Sequence, residues 1–177
     1  MLELELIIRK MILESLGVEK YYNSHVENSN TILRVMKYEP PPSSASAIGL
    51  LAHTDTNIIT ILCQDEVQGL EVLSKEGNWL QVAPSKGTFV AVVGQVLKAW
   101  SNGRLHAAKH RVVMRGDTER YSCGLFSIPK DGVVIETPSE LIDEEHPLLF
   151  RPFNYLDFLT YFHSNISDNA LEIYAGV

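Results

Sequence analysis

A small set of residues in this sequence has the types and spacing to do chemistry together: His53, Asp55, His110, Arg120 and Ser122. His53-Thr54-Asp55 puts an imidazole and a carboxylate two positions apart. On an extended chain, side chains two apart share a face, so His53 and Asp55 can point inward while Thr54 points away. His110 would complete a face of two histidines and one carboxylate on a single metal, with coordination positions left open. That donor set suits a non-haem Fe(II) centre. Arg120 and Ser122 share a face by the same rule, and Gly124 and Phe126 continue it. An arginine buried in an apolar barrel is costly without a partner. A bound carboxylate supplies one through a two-pronged, charge-assisted contact that a lysine cannot reproduce. The Ser122 hydroxyl adds a donor to that carboxylate, and Gly124 leaves room beside it.

Each residue has a plainer reading. His53-x-Asp55 alone could be a strand end where Asp55 caps a turn. His110 could be a core histidine bonded to a carbonyl, and Arg120 a solvated salt-bridge residue. His106 is a rival ligand; on a helix it would share a face with His110 and resemble a zinc pair. Asn102-Gly103 is a strong turn signal, however, and His110-Arg-Val-Val reads as a strand. The joint pattern therefore favours His53, Asp55 and His110 as ligands over all the plainer readings holding at once.

The elements that must position these residues are mainly strands. Candidate strands are 32–38, 48–52, 58–63, 70–73, 79–82, 88–93, 109–114 and 121–128. They are divided by Pro40-Pro41-Pro42, Gln68-Gly69, Glu76-Gly77-Asn78, Pro84 to Gly87, Asn102-Gly103 and Gly116-Asp117. Eight short antiparallel strands with frequent turns predict a double-sheet jelly roll able to enclose a ligand. Residues 2–22 carry Leu2, Leu6, Met11, Leu13 and Leu16 among charges, with Gly17 as a helix stop, and predict an amphipathic helix packed on a sheet. The tail from Ser139 to about Ser164 returns to helical patterning. The expected organisation is an N-terminal helix over 1–30, a jelly-roll core over 31–135 and a helical extension over 136–177.

Composition narrows the function classes. With 177 residues and 45% hydrophobic content the chain can build one sizeable core. A net charge of -7 and no basic run argue against a nucleic-acid partner. No apolar stretch approaches the roughly 20 residues of a membrane span. Glu3 and Glu5 interrupt the start where a signal peptide needs an apolar run. Asn165-Ile166-Ser167 fits a glycosylation sequon but lacks a secretory context. Cys63 and Cys123 lie in apolar strand-like segments and read as buried free thiols in a reducing, cytoplasmic setting.

On these residues the chain resembles the plant-type 2-oxoglutarate- and Fe(II)-dependent dioxygenases, from roughly Thr31 to the C-terminus and in the preceding helix. His53-x-Asp55 looks like the family's metal pair, His110 in His-Arg-Val like its distal ligand, and Arg120-x-Ser122 like the motif that grips 2-oxoglutarate. Tyr38, before the prolines, matches a tyrosine near the 2-oxoglutarate site, and Phe126 a position facing the organic substrate. Met36-Lys37-Tyr38, Asn57-Ile-Ile-Thr-Ile-Leu, Trp100-Ser-Asn-Gly-Arg-Leu-His and Tyr121 to Lys130 look closest to the clade of glucosinolate side-chain-modifying enzymes and deoxypodophyllotoxin synthase. The chain departs from the family at Met36 (often Asn), at Gln95 (usually Asp) and at Ala107-Ala108 (a Ser-Pro pair).

The resemblance implies an oxygenase that hydroxylates, desaturates or cyclises a small plant metabolite or hormone. It would use Fe(II), 2-oxoglutarate and O2, with ascorbate as activator. Relatives carry a further region ahead of the helix at residue 2, so a sheet face they cover is expected to be exposed here and to favour self-association. An alternative follows from that exposure: a non-catalytic relative that keeps the metal residues and binds a partner. A metal-binding jelly roll of the isomerase or storage kind has no need of Arg120-x-Ser122.

Overall fold

Runs of β-branched residues such as Ile58-Ile59-Thr60-Ile61 and Val90-Ala91-Val92-Val93 favour extended backbone, and turn residues cut them to strand length. The computed structural model describes residues 1–42 and 46–177. Its elements in chain order are α1 (Leu2–Ser15), α2 (Tyr22–Glu27), β1 (Ser29–Tyr38), β2 (Ala47–His53), β3 (Ile59–Gln64), β4 (Leu70–Leu73), β5 (Trp79–Gln81) and β6 (Val90–Val93). There follow α3 (Gln95–Trp100), β7 (His110–Met114), β8 (Arg120–Pro129), β9 (Val134–Ile135), β10 (Phe153–Asn154), α4 (Tyr155–Ser164) and α5 (Ala170–Ala175). All eight expected strands are present, with ends shifted by a few residues.

Two four-stranded antiparallel sheets make the jelly roll, one in the order β1-β8-β3-β6 and the other β2-β7-β4-β5. Strand parity divides each β3 and β8 residue between two environments. Ile59, Ile61 and Leu125 join the apolar core with Leu13, Val96, Leu97, Trp100, Phe158 and Leu171 from the helices and Val18 from the connection after α1. Thr60, Leu62, Ser122 and Phe126 take the other parity and face the space between the sheets.

Four local features depart from the sequence expectations. The inner stripe of α1 is Glu5, Arg9 and Leu13, while Leu2 and Met11 are exposed. Glu5 and Arg9 form a fully buried ion pair one helical turn apart. Arg9 also donates to the His25 carbonyl and the Ser29 hydroxyl, each at 2.9 Å, and Ser127 donates to Glu5 at 2.8 Å. These bonds offset the desolvation that makes a lone buried charge so costly. Burial and the Arg9 charge push the adjacent His25 down to a pKa of about 3.

The second departure is α3, which lies between the expected strand 88–93 and the Asn102-Gly103 turn, where no element was expected. Six residues are too few for helical periodicity to separate from an apolar strand. It ends at Asn102 and Gly103, both with positive φ, and Asn102 is more than a turn. Its amide donates to the Leu141 and Pro147 carbonyls at 3.1 Å and accepts from Leu149 N at 2.9 Å. That clamps the C-terminal segment to the jelly roll. Third, residues between Ile142 and Pro152 are not helical, which interrupts the helical patterning expected from Ser139 to about Ser164; α4 and α5 both fall within the helical extension expected over 136–177. Asn154 caps α4, its side chain accepting from Leu156 N and Asp157 N. Fourth, Cys63 and Cys123 are free, as expected, but half-buried rather than buried, and are register partners on β3 and β8.

On the outer face of β1, Leu33 is 60% and Val35 76% exposed. β1 ends its sheet, so its other edge has no strand partner among the described residues.

Arg9→Ala should strand Glu5 as an uncompensated buried charge and cost about 3–5 kcal/mol of unfolding free energy. Lys10→Ala, which breaks only an exposed pair with Glu14, should stay within about 0.5 kcal/mol. Urea denaturation of the two variants beside the parent checks the contrast.

Candidate metal centre

β2 and β7 pair antiparallel with His53 directly opposite His110. Their ring centroids are 4.4 Å apart. Asp55 follows two residues after His53, in the turn between β2 and β3, and its Oδ1 lies 3.5 Å from His53 Nε2 and 3.7 Å from His110 Nε2. One donor atom from each of the three lies within 4.8 Å of the other two. This is the only such group of His, Cys, Asp and Glu among the described residues.

The protonation pattern suits metal binding. His53 Nδ1 sits 2.8 Å from the Leu51 carbonyl and His110 Nδ1 3.1 Å from the Ala108 carbonyl. A carbonyl accepts only, so each Nδ1 carries a proton, and each Nε2 is the ring atom that faces Asp55, able to take a metal when neutral or to donate to the carboxylate when protonated. Hydrogen bonding to Asp55 raises the His53 pKa against the effect of burial. Burial lowers that of His110 although Asp55 opposes it. Burial alone would raise Asp55, but its contacts with His53, His110 and Thr60 outweigh burial and hold it below its ordinary value. Two neutral nitrogens and one carboxylate oxygen on converging vectors fit a divalent cation.

Arg120 opens β8 and is 0% exposed. It donates to Gln64 Oε1 at 2.8 Å and, at 3.4 Å, to the Ser122 hydroxyl. Its Nε is buried with no partner. No carboxylate among the described residues forms an ion pair with it, and burial lowers its pKa. Tyr38 is its register partner on β1, and the guanidinium lies over the Tyr38 ring at 5.2 Å from the centroid. The Tyr38 hydroxyl donates to Met36 Sδ at 3.6 Å.

His53, Asp55, His110, Arg120, Ser122, Tyr38 and Phe126 all line one cavity of about 50 Å³ between the sheets, walled by Leu50, Leu62, Leu70, Val92 and Val112. His106 lies elsewhere. It is exposed and borders a larger cavity of about 290 Å³ behind Thr54 and Gln95, with Lys75, Lys98 and Lys109. The larger space carries none of the three clustered donors, so volume is a poor guide to the chemistry here.

Two positions differ from the sequence reading. The space at Gly124 is not left for a ligand: a Cβ there would lie 2.7 Å from the Phe126 ring, which fills it. Phe126 in turn lies under Arg34, whose guanidinium is 5.2 Å from its ring centroid. Gly69 was read only as punctuation. A Cβ on Gly69 would lie 2.7 Å from Arg120 Cδ and 2.9 Å from Nε, so glycine there makes the arginine's berth. Gln64 was missed as well. Neither has a local signal: Gln64 meets Arg120 through the pairing of β3 with β8, and Gly69 meets it from the opposite sheet.

A family model described as the 2OG-Fe(II) oxygenase superfamily matches residues 20–129. The chain is 47% identical, over 99% of its length and 57% of the relative's, to "Probable 2-oxoglutarate-dependent dioxygenase AOP1.2" of Arabidopsis thaliana. Among solved structures, a dioxygenase for auxin oxidation in rice superposes with a TM-score of 0.81 at 32% identity, over 96% of this chain and 60% of that one. JOX2 in complex with 2OG, Fe and JA superposes with a TM-score of 0.88 at 27% identity, over 99% of this chain and 54% of that one. The chain thus spans a little over half the length of these relatives.

Purified protein loaded with Fe(II) under anaerobic conditions should hold one equivalent of metal. His110→Ala should lose most of it and His106→Ala should keep it, as read by elemental analysis after desalting. The reverse pattern would transfer the ligand role to His106.

Proposed function

The chain belongs to the 2OG-Fe(II) oxygenase superfamily, and from that premise we propose that it oxidises a small plant metabolite or hormone with 2-oxoglutarate as cosubstrate, by hydroxylation, desaturation or ring closure. The core over residues 31–135 would carry the chemistry. His53, Asp55 and His110 would hold Fe(II). Arg120 and Ser122 would hold the far carboxylate of 2-oxoglutarate, with Tyr38 beside it and Phe126 facing the organic substrate. Bound there, Fe(II) and 2-oxoglutarate would supply the electrons that activate O2, the 2-oxoglutarate being decarboxylated to succinate and carbon dioxide, and ascorbate would keep the metal reduced.

The observation that carries this reading is Arg120. It is a fully buried cation with an unpartnered Nε and no carboxylate of the described residues paired to it, in the same cavity as the two histidines and the aspartate. Burial makes its charge count for more than it would in water, and the fork of the guanidinium matches a carboxylate. The neutral Ser122 and Gln64 take one bond each from the two terminal nitrogens, leaving the Nε–H unpartnered and the charge uncompensated. Leu50, Leu62, Leu70, Val92 and Val112 give the cavity an apolar wall around the same donors. Tyr38 holds the guanidinium plane from one side and Gly69 lets it approach from the other.

One structural observation favours a further property. Leu33 and Val35 present apolar surface beside the unpaired edge of β1, which suits self-association. It would serve either an active oxygenase or the alternative, a non-catalytic relative acting through a partner. Among the described residues no helix is long and apolar enough to cross a membrane; with the half-buried free thiols, this supports a cytoplasmic setting.

With Fe(II), ascorbate and 2-oxoglutarate, the protein should form succinate even without its organic substrate, at a slow uncoupled rate. Arg120→Lys should keep its iron but bind 2-oxoglutarate more weakly by about 1.5–3 kcal/mol, the range for hydrogen bonds to charged groups. Calorimetric titration of 2-oxoglutarate into the metal-loaded protein measures this. Unchanged affinity would remove Arg120 from the site, and absent succinate with 2-oxoglutarate bound would favour the non-catalytic alternative. For the β1 face, light scattering should find concentration-dependent dimers that Val35→Lys disperses.

A further inference from the structure

The carboxylate of Asp55 has two oxygens, and the structure treats them differently. Oδ1 faces His53 Nε2 and His110 Nε2. Oδ2 accepts a short hydrogen bond of 2.5 Å from the Thr60 hydroxyl. Thr60 is a polar residue in an otherwise apolar run, Ile58-Ile59-Thr60-Ile61-Leu62, and is buried. Strand packing alone would favour valine there, since a buried hydroxyl is a cost unless it is bonded.

Thr60 is itself held. Asn57 Nδ2 donates to Thr60 Oγ1 at 3.0 Å and to the Ile59 carbonyl at 3.1 Å. A flipped Asn57 amide would set its oxygen against the Ile59 carbonyl oxygen, so the orientation is determined. The Thr60 oxygen accepts from Asn57, and its one proton goes to Asp55. The relay therefore runs one way, from Asn57 through Thr60 to Oδ2, and all three residues are buried away from competing water.

The backbone braces the same loop. Gln95 N donates to the Asp55 carbonyl at 2.8 Å, Val96 N to the Asn57 carbonyl at 3.1 Å and Gly94 N to the Ile58 carbonyl at 2.9 Å. A Cβ at Gly94 would lie 2.0 Å from the Asn57 carbonyl oxygen. Gln95 Nε2 adds a 2.9 Å bond to the Thr54 hydroxyl.

We propose that Thr60, oriented by Asn57, is a positioning residue that holds Asp55 as a one-oxygen metal ligand. With Oδ2 tied to the hydroxyl, Oδ1 is the oxygen presented beside both imidazoles. Without that bond the carboxylate would be free to rotate and offer both oxygens to a bound metal. This rests on the metal-centre reading above, and it assigns to β3 a role that no ligand motif carries.

The test is Co(II) titration of the metal-free protein, followed by the visible absorption bands of Co(II), which report coordination number. Thr60→Val keeps the shape and removes the hydroxyl; it should weaken Co(II) binding by roughly 10- to 100-fold, the usual effect of losing a partner to a metal ligand, and alter the bands. Thr60→Ser restores a hydroxyl and should return affinity to within a few-fold, with the parent spectrum. A merely structural role would move the melting temperature and leave the spectrum unchanged. Thr60→Ala serves the same purpose should the valine variant not fold. Parental affinity and spectrum in Thr60→Val or Thr60→Ala would overturn the proposal, as would a serine variant as impaired as the valine one. Asp55→Ala is the separate control. It should abolish Co(II) binding, and if it does not, the metal-centre reading itself falls and the role of Thr60 with it.

Discussion

The antiparallel register of β2 on β7 is the constraint to which the rest of the site is referred. It sets His53 opposite His110 across one strand pair. Side chains alternate along a strand, so a slip of one residue would turn one of the two histidines out of the space between the sheets. The register is not a simple ladder. It shifts between Ile48 and Leu50 and again between Leu50 and His53, and such irregularities re-aim side chains at the ends of strands. Asp55 then needs only a turn to bring its carboxylate beside both rings.

A second constraint runs through β8. The same strand pairs with β1 on one side and β3 on the other, so Arg120 meets Tyr38 through one pairing and Gln64 through its neighbouring register. The arginine is tolerated in the interior because its surroundings are shaped for it. Gly69 yields space, Tyr38 offers a ring face, and Gln64 and Ser122 accept hydrogen bonds. What those groups do not offer is a compensating charge, and that imbalance is the physical basis for reading the cavity as a carboxylate site.

The helices do for the outside of the major sheet what the second sheet does for its inside. They bury Ile59, Ile61 and Leu125, so β3 and β8 are packed on both faces. The contact of α1 is polar at its centre. Glu5 and Arg9 reach Ser127 and Ser29 at the end of β1 and β8 away from Arg120 and Tyr38. A buried ion pair contributes less to stability than apolar packing of the same volume, but it tolerates few alternative placements of the helix. β1 itself is left with apolar side chains in solvent, which sets it apart from the strands at the centre of the sheet.

Much of this was legible in the sequence because its signals are local. Strand positions follow from β-branched runs and the turn residues that interrupt them, and parity alone places Arg120 with Ser122; Asp55 meets His53 as expected, but from the turn past the end of β2 rather than from the strand. The choice of His110 over His106 followed from reading the segment as turn and strand, and the structure places His110, not His106, beside Asp55. Other features depend on pairings between residues far apart in sequence. A turn-like Gln68-Gly69 becomes the berth of Arg120, and the room expected at Gly124 is taken by Phe126. The polar stripe Glu5-Arg9 replaces the leucine face expected of α1, because Ser127 lies beneath it. The Thr60 bond to Asp55 has no spacing rule at all. Residue type and alternation specify which face a side chain takes; only the assembled sheets decide which groups meet there, because contact distance and burial are set by strands whose pairing no local pattern encodes.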